Sequence, residues 1–271
     1  MRILGLHGHG TSAFIFRSQT TALRSKLDKS FTFDFIDAPF DSAPAPGINA
    51  LFHSNHYTWW PKPTVNCIKM AHRWLLDYFD EHGAYDAVIC FSQGCSLIGS
   101  FLLYHAREAP DEPLPFKAVV FICGGLPLPV LEDLALPVSQ KAYDINAASV
   151  KLLTQKAGAL TDYAANVDKI RPGMGLWNDT GGLLHDPAVM PDESDVFGLD
   201  FTAMPKDVRI RIPTVHVYGA KDPRWPAGVQ LAHFCDDRKM YDHGGGHDIP
   251  RSTEVSVKIA ELLRELSQEI L

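Results

Sequence analysis

No run of this 271-residue chain is apolar for long enough to cross a membrane. There is no excess of basic charge either. The formal net charge is −7 at pH 7, which argues against nucleic acid, because phosphate binding needs a basic stripe. The five cysteines (67, 90, 95, 123 and 235) are odd in number and show no C-x-x-C spacing, so a disulfide framework is not expected. Cys90 and Cys123 fall inside apolar runs, as buried free thiols of a reducing compartment do. The N-terminal "MRILGLHGHG" has too short an apolar run for a signal peptide, and a cytoplasmic protein is expected. Internal repeats and low-complexity segments are also missing. What remains, 46% apolar and 21% charged residues, is the balance of a globular protein with a substantial core.

Short β-rich apolar runs alternate with longer stretches of helical periodicity, the pattern of a mostly parallel sheet flanked by helices. Strands are predicted at "RILGLHG" (2–8), "FTFDFID" (31–37), "YDAVICF" (85–91), "FKAVVFIC" (116–123), "TVHVYG" (214–219) and "RKMYDH" (238–243). Helices are predicted near 12–28, 64–82, 93–107, 225–235 and 252–270. In the last, Val255, Ile259, Leu262, Leu263, Leu266 and Ile270 form one apolar stripe for docking on the sheet. Two segments break the alternation. Residues 38–63 are rich in proline and aromatics. Residues 124–212 are far longer than a usual connection between strands, and their middle has a helical pattern: Val150, Leu153, Ala157, Leu160, Tyr163, Ala164, Val167 and Ile170. This insertion leaves the carboxyl end of a strand, where such sheets bind ligands. We read a single α/β domain over 1–271 with a cap or lid at about 124–212.

The chemistry-bearing stretch is "AVICFSQGCSLI" (87–98). Ser92 stands between a strand and a helix, as the serine of a G-x-S-x-G nucleophile elbow does, with Gly94 as one small neighbour and Cys90 in place of the first glycine. A serine hydroxyl needs a base to take its proton, and the base needs a carboxylate to hold its tautomer. Downstream, "TVHVYGAKDPRW" puts Asp222 just past a strand, and "MYDHGGGHDIP" puts His247 on a glycine-rich loop. Ser92, Asp222 and His247 thus follow in the order that this kind of sheet requires. His243, at the strand's end, is read as steadying the loop, and Asp195 and Asp200 are weaker candidates for the acid. The oxyanion hole needs backbone N–H groups aimed at the developing charge. Gln93, directly after the serine, supplies one, and His9, in the glycine-bearing "LHGHGTS" loop, is assigned as the second. Cys95 is read as a packing residue. The pairs His7/His9 and His53/His56 each lack a third ligand, so no metal is expected, and no cofactor.

Together, "LGLHGHGTSAFIFRSQ", "CFSQG", "HVYGAKDPR" and "DHGGGHDIPR" resemble the family of small fungal serine hydrolases with the α/β-hydrolase fold, over residues 3 to about 252. Some members of that family are stand-alone thioesterases or ester hydrolases of polyketide gene clusters. The resemblance implies Ser92, Asp222 and His247 as the triad. The "HGHG" and "SQG" segments are also similar to those of acyl-protein thioesterases, which supports His9 and Gln93 as oxyanion donors. This chain departs from the family at Cys90 and in an insertion longer than that of the smallest members.

The expected reaction is hydrolysis of an acyl thioester or ester through an acyl-enzyme. From the resemblance, the acyl group is a polyketide-type chain on the carrier domain of a synthase, or a free ester derived from one. Tyr57, Trp59, Trp60 and Trp177 are expected to wall an acyl pocket. The same triad would serve acyl transfer or lactone formation with a substrate alcohol in place of water, or a general carboxylesterase. A hydrolase-fold binding protein without catalysis is a further alternative, but such proteins usually lack a triad member.

Overall fold

β1 (Arg2–Leu6) is followed by two short helices, α1 (Ala13–Gln19) and α2 (Thr21–Arg24). The computed structural model describes residues 1–165 and 176–270. The helix expected over 12–28 is therefore two pieces, because Thr20 closes α1 with non-helical backbone and its hydroxyl donates to the Phe16 carbonyl. After β2 (Thr32–Ile36), the long proline-rich segment is organised by two short antiparallel strands, β3 (Phe40–Asp41) and β4 (Tyr57–Thr58). Then come α3 (Val65–His82), β5 (Ala87–Phe91), α4 (Gln93–Glu108) and β6 (Ala118–Ile122).

The insertion opens with α5 (Leu128–Asp133) and α6 (Gln140–Ala165). α6 begins earlier than the helical pattern around 147–170 suggests. Ser139 takes the Ala142 N–H on its side chain and so starts the helix, while its own hydroxyl donates to the Gly198 carbonyl. Val167 and Ile170 of that pattern lie outside the described residues. The chain ends with β7 (Thr214–Tyr218), α7 (Trp225–His233), β8 (Arg238–Asp242) and α8 (Thr253–Ile270).

Six strands pair in the order β2-β1-β5-β6-β7-β8, all parallel. Alternation along each strand divides the core between the two faces. Leu4, Leu6, Val88, Cys90, Val119 and Phe121 pack with α3, α4 and α5 on one side; Ile3, Ile89, Val120, Ile122, Val215 and Val217 pack with α1 and α8 on the other. The predicted stripe of α8 does face the sheet: Val255, Ile259, Leu262, Leu263 and Leu266 are all buried. Because the chain goes out to β2 and returns to β5 on the far side of β1, the strand order reverses at β1/β5. The loops at that reversal and beyond it, all at carboxyl strand ends, carry the candidate site.

Candidate active site

Ser92 is the one residue between β5 and α4, with φ 51° and ψ −111°, a left-handed conformation that a serine adopts only under constraint. The constraint is visible on both sides. Its N–H donates to the Ile122 carbonyl at 3.0 Å, and α4 starts immediately after it. Gly94 lets the helix close on β1. A Cβ there would come within 2.6 Å of the Leu6 carbonyl oxygen and 2.9 Å of that of His7. Cys90, at the other small position, is fully buried, with its thiol 3.5 Å from the Val120 carbonyl. Burial pushes that thiol's pKa up, so it fills space as an apolar group. Cys95 is likewise buried, its sulfur against the carbonyls of Cys90 and Ile122.

The turn after β7 presents Asp222, and the loop after β8 presents His247. Asp222 is almost wholly buried. Its Oδ1 accepts the Arg224 N–H at 2.7 Å and its Oδ2 faces His247 Nδ1 at 2.8 Å. A carboxylate can only accept, so the proton of this pair sits on Nδ1 and the lone pair on Nε2. Nε2 lies 2.9 Å from Ser92 Oγ, positioned to receive the hydroxyl proton. The arrangement is a continuous path from serine to imidazole to carboxylate, with Ser92 still partly exposed to an incoming molecule. The Lys221 N–H donates to the Gly245 carbonyl, which ties the acid turn to the histidine loop. His243 stays out of this path. Its Nδ1 accepts the Gly245 N–H at 3.2 Å, and its own N–H donates to the Tyr218 carbonyl. Asp195 pairs with Lys141 and Asp200 binds the Thr202 N–H, whereas the ring of His247 bonds to Asp222 and Ser92.

The loop after β1 lies against the serine. A Cβ on Gly8 would stand 3.2 Å from Ser92 Cβ. His9, the next residue, has its ring Nδ1 at 3.1 Å from Thr58 Oγ1, and the Gln93 side-chain amide meets the same hydroxyl, Nε2 at 2.9 Å. The Trp59 N–H adds a bond to Gln93 Oε1 at 3.2 Å. Thr58 therefore joins the two segments expected to hold an oxyanion. Sequence reasoning missed it, since a threonine in "HYTWWP" carries no motif of its own. The Gln93 N–H occupies the first position of α4, where no intrahelical carbonyl can reach it.

The four aromatics separate into two groups. Trp59 and Trp60 do not wall an open pocket. Trp59 is 0% exposed, donates its indole N–H to the His7 carbonyl at 2.8 Å and packs on Trp74, and Trp60 joins the same core. Both sit where the sheet face meets α3, which is why they are covered. Tyr57 is half-buried beside His7, with main-chain bonds to Gly10 and Thr11. Trp177, from the insertion, is half-buried and lies so close on Gly246 that a Cβ there would meet its ring at 1.9 Å. Sequence reasoning also missed Arg224, whose Nη1 donates to the Asn146 carbonyl and side chain and to Ser149 Oγ at 2.6 Å, fastening α6 to the acid turn. A groove of about 600 Å³ between α3 and α4, lined by Met70, Leu76 and Phe101 among others, touches none of these site residues.

A parallel sheet with a strained serine after β5, a carboxylate after β7 and a histidine after β8 defines an α/β-hydrolase of the serine class. The sequence pattern of the serine hydrolase (FSH1) family matches residues 1–259, and the chain belongs to that family. It is 34% identical over 274 residues to Esterase FUS5 of Gibberella moniliformis, covering 97% of this chain and 85% of that protein. To Esterase FPY3 of Fusarium mangiferae it is 28% identical over 256 residues, covering 93% and 89%. Among solved structures, a variant of Arabidopsis thaliana SOBER1 aligns with a TM-score of 0.50 and 15% identity, over 98% of this chain and 99% of that one, a likeness of fold alone. The chain is an ester-cleaving serine hydrolase.

Proposed function

We propose that Ser92 attacks the carbonyl of an acyl ester or thioester, with His247 taking the hydroxyl proton and returning it to the leaving alcohol or thiol. Asp222 holds His247 in the required tautomer, and the main-chain N–H groups of Gln93 and His9 stabilise the oxyanion. Water, activated by the same imidazole, then releases the acid from Ser92. The observation that carries this reading is the unbroken path of 2.9 Å and 2.8 Å through His247.

The substrate is a polyketide-type acyl chain, delivered by a carrier domain or as a free ester. The resemblance to thioesterases and ester hydrolases of polyketide clusters supports this. The insertion over 124–212 acts as a cap that selects the acyl chain, with Trp177, which lies against Gly246, and Tyr57, which lies beside His7, contacting that chain. The enzyme works in the cytoplasm, a reading supported by five cysteines that are all free. The test is labelling with a fluorophosphonate, followed by exposure to matched acyl-carrier, acyl-coenzyme A and simple ester substrates. Ser92 labelling with turnover of the carrier-bound chain fits the proposal. Turnover of simple esters only, with the carrier substrate untouched, removes the carrier from it.

A further inference from the structure

A thiol that plays no part in this reaction stands beside its acid and base. Cys123 follows β6 with left-handed backbone, φ 49°, and is 4% exposed. Its Sγ lies 3.6 Å from the Asp248 carbonyl oxygen, 3.7 Å from that of Gly246 and 3.8 Å from His243 Nε2. On its other side it faces the Asp222–His247 pair. One sulfur, one carboxylate oxygen and one imidazole nitrogen from these three residues all lie within 4.8 Å of one another. Burial, reinforced by the Asp222 charge, keeps the thiol protonated while no cation is bound.

This is a mixed sulfur, nitrogen and oxygen donor set of the kind that holds zinc. Bonds of about 2.3 Å to sulfur and 2.0–2.1 Å to nitrogen or oxygen in a tetrahedron put ligand atoms about 3.3–3.8 Å apart. Asp222 and His247, 2.8 Å apart, need to open by about 0.5 Å, and Cys123 to approach by about 1 Å at most, to reach that spacing. His247, the least buried of them and carried on a loop with three consecutive glycines, can make that movement. The geometry points to an inhibitory zinc site formed by Cys123, Asp222 and His247. On binding, the thiol proton passes to solvent and the imidazole changes tautomer, its proton leaving Nδ1 for Nε2, so that the thiolate and Nδ1 give their lone pairs to the metal; no electrons change hands. Ser92 then has no base, because Nε2, the nitrogen that faces its hydroxyl, carries the imidazole proton and Nδ1 is held by the metal. Magnesium, which prefers an all-oxygen shell, does not compete for a thiolate. The pairing is invisible in the sequence because the three residues come from three separate strand ends.

The test uses the purified full chain and two readouts. Hydrolysis of a small activated acetate ester is titrated with zinc chloride in a non-chelating buffer, with magnesium chloride as control, for wild type, Cys123→Ala and Cys123→Ser. Wild type should be inhibited by zinc, not by magnesium, and recover on chelation. Both variants should turn over the ester as wild type does without metal, and the zinc concentration for half inhibition should rise about ten-fold or more, as loss of one of three ligands requires. Cobalt chloride added to wild type should give a thiolate-to-metal charge-transfer band in the near ultraviolet that is absent in both variants. Equal zinc sensitivity in wild type and Cys123→Ala, or no cobalt–thiolate band in wild type, overturns the site. The inhibition relies on the proposed roles of His247 and Asp222, whereas the cobalt band does not. An error in those roles would leave the band in place.

Discussion

The two halves of the site are held by different means. On the Ser92 side, everything comes from the sheet and its nearest helix. Main-chain bonds, the close approach of Gly94 to β1 and the buried packing of Cys90 and Cys95 fix the serine. On the side of Asp222 and His247, side chains of the insertion reach in. Arg224 is bound to α6, His185 donates to the Ala220 carbonyl at 2.8 Å and stacks on Trp225, and Trp177 covers Gly246. The proposed nucleophile is thus placed by the core, while its proposed base and acid are placed partly by the segment proposed to choose the substrate. In such an arrangement changes on the two sides should fail differently.

The largest effects come from cutting the path itself. His247→Ala should lower kcat by about 10⁴-fold or more, with Asp222→Asn roughly ten- to a hundred-fold milder, because the imidazole remains and only its orientation suffers. Steady-state kinetics on a small activated ester decides this; near-normal turnover in His247→Ala refutes the assignment. Next in size is Gly94→Ala. The added methyl meets two backbone carbonyl oxygens that cannot turn away, so helix and strand must separate. A loss of about 1–3 kcal/mol of stability is expected, with kcat falling alongside the melting midpoint. Unchanged activity in that variant would show that the elbow tolerates loosening.

Arg224→Met tests the other half. It removes the tie between α6 and the acid turn but keeps the Arg224 N–H bond to Asp222. KM for long acyl thioesters should rise several-fold, and turnover of a small acetate ester should change by about two-fold at most, since only long chains draw binding energy from remote walls. Equal losses on both substrates would mean that the insertion serves the fold rather than selection.

The core that fixes the serine also brings a weakness to acid. Burial pushes His7 and His72 down to about 4 and His216 to about 3. An unfolded chain has these imidazoles near 6.5, so it binds more protons than the folded one as pH falls below that value. Stability from these groups is therefore complete above about pH 6.5 and is lost progressively toward pH 4. The melting midpoint should follow that course, and a profile flat from pH 7 to pH 4.5 would contradict it. The smallest effect is Cys90→Gly, which should keep most of kcat/KM and cost about 1 kcal/mol or more of stability, from lost packing and a freer unfolded chain. A loss as complete as that of Ser92→Ala would bring a thiol into the chemistry.

The same division governs what could be read from the sequence. The elbow was legible because it is local: an apolar run, a serine and a small residue two positions on, all within twelve residues. Asp222 and His247 were legible because each follows its own strand in a required order. Contacts between segments distant in the chain were not legible. Thr58 joins His9 to Gln93 without a motif. Trp59 and Trp60 are read as pocket walls until the position of α3 shows them covered. Cys123 is partly recoverable, because β5 and β6 run in register with Phe91 beside Ile122, so the residue after β6 must lie level with the serine after β5. Placing it next to Asp222 and His247 takes the loops of two further strands.

The most direct measurement is intact mass spectrometry of the enzyme, acid-quenched within the first turnover of an acyl thioester, with the modified peptide then sequenced. The account predicts a mass increase equal to the acyl group, located on Ser92, absent in Ser92→Ala and accumulating in a variant slowed at water attack. An acyl group located on Cys90, Cys95 or Cys123, or turnover without any acylated protein, would contradict it.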